Sequence, residues 1–434
     1  MFSDAPTRLT IPRAGTQEVT LRHEHGIVHR ILSTDGTIEP PLLWDGAWRV
    51  ETQGSAVKRI RVGATIDTRL AADAETLGER LLACWGVGTG AEPPRATTPD
   101  GVRCTQSLVT DVAARRGYDE AAAMIEHARK GLTDDQNLWG RYCNIAGEAA
   151  AAGAVFGGAD GRTLIREQRS FCDYSVPHGV GAATVILHAE EPIIPATAVC
   201  AEDPLSSLPA LARTSQCWHG VGMGLARLHR LDLGTAAGDC RRAPEDSSRM
   251  NCIEGLLAFA RTYRLRGPGA VSEWRALALD GETCGAIGSD PSLLDTCYRS
   301  IGQTFARDAV DRSDDSAQTR EDAVGAMTRT CAASPVTHQT FCWAGVGTVV
   351  AASLHQDLSD IAEISRWLAT CDSATDTASR EVCYERAALG LLANDQLVDG
   401  LDVETLTGLV PPAMRAGLRE KLLYWIESLG GRST

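Results

Sequence analysis

The chain has 434 residues, 44% of them hydrophobic and 23% charged, with 56 Asp+Glu against 42 Lys+Arg. That balance is ordinary for a folded protein with a substantial core, and it excludes a disordered, collagenous or coiled-coil chain. A net charge of −14 makes this an acidic protein that repels phosphate backbones, so nucleic acid is not expected among its partners.

The first residues, Met1-Phe2-Ser3-Asp4-Ala5-Pro6, show no basic segment followed by an apolar one, so a secretory leader is not expected within this sequence. No uncharged run approaches the ~20 residues that a membrane helix requires, and no membrane-spanning segment is expected. Over residues 1–70, Val19 and Leu21, then Trp48, Val50 and Thr52, then Ile60, Val62, Ala64 and Ile66 alternate with polar residues, the period of half-buried strands. Asp35-Gly36 and Asp45-Gly46 read as hairpin turns, the second between runs that could pair directly. The expectation is a small antiparallel β region. His23, His25 and His29 fall on one side if they share a strand, where they could hold a metal or simply form a polar face.

Helical sequence begins at Leu70-Ala71-Ala72-Asp73, and residues 71–434 read as one all-α repeat domain. Cys84-Trp85-Gly86-Val87-Gly88, Cys217-Trp218-His219-Gly220-Val221-Gly222 and Cys342-Trp343-Ala344-Gly345-Val346-Gly347 are copies of one unit, and His178-Gly179-Val180-Gly181 is a fourth, with Cys172 displaced upstream. Weaker copies start at Cys252, Cys297 and Cys383. From Cys172 to Cys383 the successive starts are separated by 45, 35, 45, 45 and 41, enough for two helices per unit. The fold class expected is therefore mainly α, a helix-hairpin repeat array, either an α-solenoid or an α/α ring. Each unit reads as a helix opened by its cysteine, with paired glycines that need tight packing, since glycine inside a helix costs roughly 1 kcal/mol relative to alanine. After Pro411-Pro412, a helix with Leu418, Leu422, Leu423 and Ile426 on one side reads as the terminal cap.

The 14 cysteines alternate short and long separations; from Cys200 onward the short ones are 17, 12, 13, 11 and 12, and each spans turn-forming side chains. Consecutive pairing follows, each disulfide clamping the loop between two helices. Persistent disulfides imply an oxidising compartment, so an extracellular or cell-envelope location is expected, with free buried thiols in the cytoplasm as the alternative. There is no Cys-x-x-Cys.

Three units share a longer pattern: His178 then His188, His219 then His229, and Ala344 then His355. Ten helical residues rise about 15 Å, so the two histidines of one unit cannot share an ion. Equivalent histidines on packed helices, with axes about 8–10 Å apart, can. His178 with His219 is thus the pair expected to act as metal ligands, for zinc or a similar transition metal, or as acid–base residues, with Glu148, Asp173 and Tyr174 as oxygen partners. His188, His229 and His355 sit where a helix C-terminus favours a cation and need no ligand to explain them. The glycine runs are packing glycines rather than dinucleotide fingerprints, because they recur with the repeats. Thr133-Asp134-Asp135-Gln136-Asn137 reads as a helix cap. No Gly-x-Ser-x-Gly elbow or P-loop is present.

The alternation of helix pairs and cysteine-clamped loops resembles that of cysteine-rich Sel1-like solenoids, from which the unit length differs. The Cys-x-His-Gly string is similar to one in the zinc-binding lanthipeptide cyclases, but their Trp-Cys-Tyr-Gly motif does not occur here, and neither likeness carries residues over. The function expected is an exported, disulfide-stapled scaffold that binds a protein or small-molecule ligand. The alternatives are an enzyme built around His178 and His219, metal-dependent or acid–base, in a cavity of the helical domain, and a purely structural envelope protein.

Overall fold

A computed structural model of the chain describes residues 9–10, 17–23, 28–33, 37–38, 46–52, 58–62, 74–87, 99–132, 136–167, 175–201, 210–264, 282–312, 317–353, 361–392 and 402–428. The chain divides into two compact units, Met1–Ala260 and Arg261–Thr434.

The first unit opens with strands β1 (Leu9–Thr10), β2 (Gln17–His23), β3 (Val28–Ser33), β4 (Thr37–Ile38), β5 (Gly46–Thr52) and β6 (Lys58–Val62). β2, β3, β5 and β6 form an antiparallel sheet in the order β3-β2-β5-β6, and β1 pairs with β4 separately. Val19 and Leu21, two residues apart on β2, are buried, as is Val50, the β5 residue paired with Leu21. This is the half-buried alternation that the sequence shows. Two expectations need correction. Gly46, read as part of a turn, is instead the first residue of β5 and pairs with Val62, while Asp45 lies outside the described residues. The histidine run is also divided: His23 ends β2, His29 belongs to β3 opposite Leu21, and His25 lies outside the described residues.

Among the described residues of this unit ten helices follow: α1 (Ala74–Cys84), α2 (Pro99–Arg116), α3 (Tyr118–Gly131), α4 (Gln136–Phe156), α5 (Gly161–Glu167), α6 (Ser175–Leu187), α7 (Ile193–Val199), α8 (Ala210–Leu228), α9 (Leu233–Cys240) and α10 (Asp246–Arg264). The even-numbered helices stack on one another in chain order, α2 on α4, α4 on α6 and α6 on α8. The shorter odd-numbered helices make the returns. This is a helix-hairpin repeat array.

The Gly-Val-Gly core explains how the stack closes. Positions i and i+2 of an α-helix are about 200° apart, so the two glycines face opposite sides. A β-carbon on Gly179 would strike the Glu148 carbonyl oxygen of α4, and one on Gly181 the Cys217 carbonyl oxygen of α8. One repeat later, Gly220 faces His178 of α6 and Gly222 faces Cys252 of α10. The contacts pair His178 with Gly220 and Ala182 with Gly224, so α6 and α8 run parallel. The valine between the glycines, Val180 or Val221, is fully buried. The residue before the first glycine is likewise two positions from that valine and points to the other side of the stack.

The second unit contains α11 (Glu282–Ile287), α12 (Pro291–Arg312), α13 (Ala317–Ala333), α14 (Gln339–Ser353), α15 (Ile361–Leu368), α16 (Thr377–Leu392), α17 (Val403–Gly408) and α18 (Arg415–Ser428). It repeats the scheme: α12 packs on α14 and α14 on α16, with Gly345 facing Arg299 of α12 and Gly347 facing Cys383 of α16. Trp343, Val346, Tyr384 and Leu391 make its core, to which Leu418 and Leu422 of α18 contribute.

Six disulfides join twelve of the thirteen described cysteines, all consecutive: Cys84–Cys104, Cys200–Cys217, Cys240–Cys252, Cys284–Cys297, Cys331–Cys342 and Cys371–Cys383; Cys143 is likewise disulfide-bonded. Their Cα–Cα distances, 5.4–5.7 Å, lie in the ordinary range for a bridge. Each ties a return helix, or the segment just after it, into the body of the next stacking helix. Cys172 lies outside the described residues. The cysteine does not open its helix, however. α8 begins seven residues before Cys217 and α16 six before Cys383, so His219 is mid-helix rather than in a first turn. A bridge to the previous helix needs the cysteine in the packed seam, which is away from the frayed first turn.

The return helices are capped locally. Asp232 accepts the Thr235 backbone N–H (3.1 Å) at the start of α9, and these bonds hold its carboxyl below the ordinary aspartate pKa. Replacing Asp232 with Ala is expected to lower stability by about 1 kcal/mol, read as a shift of the urea midpoint. For a lowered carboxyl, the cap's contribution is present above the unfolded pKa, about 3.9, and is lost as pH falls through the folded value.

Candidate functional site

His178 is the fourth residue of α6 and occupies the slot before Gly179; His219 occupies the same slot on α8. Because the glycines bring the two backbones together, the imidazoles stack, with centroids 4.8 Å apart and planes inclined by 21°. The expected pairing across repeats therefore forms. His178 Nδ1 lies 3.0 Å from Glu148 Oε1 on α4, and its Nε2 lies 2.5 Å from Gln216 Oε1 on α8. The ring thus links three consecutive helices of the stack. His178 and Glu148 are 19% and 21% exposed, on the edge between seam and surface.

Charge follows from this geometry. Burial disfavours the imidazolium, but the hydrogen bond and charge of Glu148, the Gln216 acceptor and the charge of Glu254 on α10 together hold the His178 pKa above its ordinary value. Arg227, two turns beyond His219 on α8, is 6% exposed and lies with its guanidinium carbon 4.8 Å from the centre of the Phe259 ring. Glu148, His178, Met223 and Arg227 line a small cavity whose floor is made by Gly179 and alanines of α4 and α6. Its volume, about 10 Å³, has room for about one water molecule.

Of the residues expected at the site, Glu148, His178 and His219 come together; Asp173 and Tyr174 lie outside the described residues. Among the described residues no three His, Cys, Asp or Glu side chains gather as a metal-binding group. Both nitrogens of His178 face acceptors, so a cation there must displace Glu148 or Gln216. His188 and His229 stand one residue beyond their helices, and His229 Nε2 lies 2.7 Å from Asp239 Oδ2; His355 is outside the described residues.

Gln216, Arg227 and Glu254 escape a reading of the sequence alone. Glu254 has a signal: Cys252-Ile253-Glu254-Gly255 aligns with Cys217-Trp218-His219-Gly220, which puts Glu254 in the histidine slot of the next helix. Gln216 and Arg227 have none, since neither belongs to the repeated string. In the second unit the slot holds Arg299, Ala344 and Glu385 on successive stacking helices, and a histidine enters from elsewhere: His338 stacks on Tyr298 at 4.6 Å and bonds Asp295 at 3.1 Å.

Compared with protein-family models, with curated proteins and with solved structures, the chain matches none.

Proposed function

We propose that this is an exported binding scaffold whose recognition surface is the row of polar side chains that the stacking helices of the first unit present in one slot: Glu148, His178, His219 and Glu254. The observation that carries the reading is the periodicity of that row. The same close-packing glycines set it at each step, so side chains can vary in the slot without disturbing the seam, which is the design of repeat proteins that bind partners. The bridges support export, because disulfides persist in oxidising compartments. No helix among the described residues is long and apolar enough to cross a membrane.

A second reading draws on one feature, the Glu148–His178 pair, which resembles a general base held by a carboxylate. The size of its cavity favours the scaffold. A site for a small molecule usually offers some hundreds of Å³, whereas this one accommodates about one water, and both ring nitrogens are engaged.

Intact mass and metal content of the protein isolated from its source test the proposal. The scaffold reading expects a mass two hydrogens lighter per bridge before reduction than after it, and no stoichiometric metal. Free thiols throughout contradict export. One equivalent of zinc or another transition metal, lost in His178→Ala and in His219→Ala, favours the enzyme and assigns His178 and His219 as its ligands.

A further inference from the structure

We propose that His178 is a pH-sensitive latch between α4, α6 and α8, closed when its ring is protonated and loosened when it is neutral. The argument is one of hydrogen-bond inventory. Glu148 Oε1 and Gln216 Oε1 are both acceptors, and they face the two nitrogens of one ring. Only the imidazolium carries two N–H donors. A neutral ring keeps its N–H for the charged Glu148 and presents a lone pair to the Gln216 carbonyl oxygen. The α6–α8 polar contact must then open, or the Gln216 amide must reverse.

The surroundings favour a charged ring at His178. The elements against α6 contribute Glu148 from α4, His219 and Arg227 from α8 and Glu254 from α10. α7 carries no charged side chain, and Arg166 of α5 is committed to Glu167 and Thr163. Two carboxylates therefore favour a proton on the histidine pair. Stacking at 4.8 Å disfavours two protons, because adjacent like charges repel. His178 holds a carboxylate bond on Nδ1, to Glu148. The shift in its titration agrees in direction.

The sign follows. A histidine whose folded pKa lies above its unfolded value, about 6.5, adds stability that is complete below that value and is lost as pH rises through the folded pKa. In an exported protein the seams beside the recognition row are then tightest in mildly acidic surroundings and loosen toward alkaline pH.

Histidine-ring NMR of the full chain with labelled histidines, from pH 5 to 9, tests this, with His178→Gln used to assign the signal. Expected is a His178 midpoint above 6.5, both ring nitrogens protonated below it, and a lower midpoint in Glu148→Gln. A fall in the wild-type melting temperature across that transition is also expected, and it should be absent in His178→Gln. A midpoint at or below the ordinary histidine value overturns the latch. So does a fall of equal size in His178→Gln. Should His178→Gln fail to fold, the wild-type and Glu148→Gln midpoints decide between the same outcomes, with Glu148→Gln assigning the signal.

Discussion

Reduced and alkylated protein is expected to remain largely unfolded at room temperature, with the cooperative helix melt of the native protein lost. The six loops closed by the described bridges span 11–20 residues and follow one another along the chain without overlap. Their chain-entropy contributions therefore add. Closing a loop of this size contributes about 3 kcal/mol, so the set contributes on the order of 15–20 kcal/mol. A domain's whole stability is about 5–15 kcal/mol. Ten of the twelve cysteines concerned are buried, so reduction has to be carried out in denaturant before the chain is returned to buffer. Circular dichroism at 222 nm with thermal melts, before and after alkylation, makes the comparison. A melt within a few degrees of the untreated protein would show that packing alone holds the array, and the bridges would lose their structural role.

The second large effect comes from a single carbon. Gly347→Ala places a methyl group against the backbone of Cys383 on the neighbouring helix, whose carbonyl carbon and Cα are 3.0 and 3.1 Å away. Backbone cannot rotate aside as a side chain can, so α14 and α16 must separate along the whole seam. A loss of at least about 3 kcal/mol is expected, against a propensity gain of roughly 1 kcal/mol. Gly417, in α18 of the same unit, meets nothing within 4 Å. There the same substitution is expected to stabilise by about 0.5–1 kcal/mol. Urea midpoints moving in opposite directions would confirm the contrast. Equal shifts would mean that the glycines serve the helices rather than the seams.

His178, His219 and the oxygen partner Glu148 were visible in the sequence, while Gln216 and Arg227 were not. Both histidines belong to a string that recurs, Gly-Val-Gly preceded by one variable residue, and the recurrence itself places them on adjacent helices. Glu148 stands outside that string but close to it in the packing. Gln216 and Arg227 are ordinary polar residues of one helix, and nothing local distinguishes them from solvent-facing neighbours. The reading of Cys217 as the start of its helix failed for a related reason: Ala210-Leu211-Ala212-Arg213 extends α8 upstream, and the string that begins at Cys217 carries no sign of that earlier start.

In the β region, alternation identified the strands at Val19, Leu21 and Val50 because period 2 is a local property. Which strands became neighbours was not local. β5, which Gly46 opens, pairs with β2 in a register joining positions far apart in the chain, such as Leu21 and Val50.

By itself the sequence determined the helical array, its period and its bridges, because each of these depends on residues within one repeat: two glycines on opposite faces of a helix, and a cysteine at each end of a loop. The tertiary structure alone decided that both ring nitrogens of His178 meet acceptors. Its partners lie 30 and 38 residues away on two other helices, and a slide of one residue along a seam, about 1.5 Å, is enough to exchange a carboxylate for its neighbour. Only the close approach of glycine to carbonyl sets that slide, and with it whether the ring meets two acceptors.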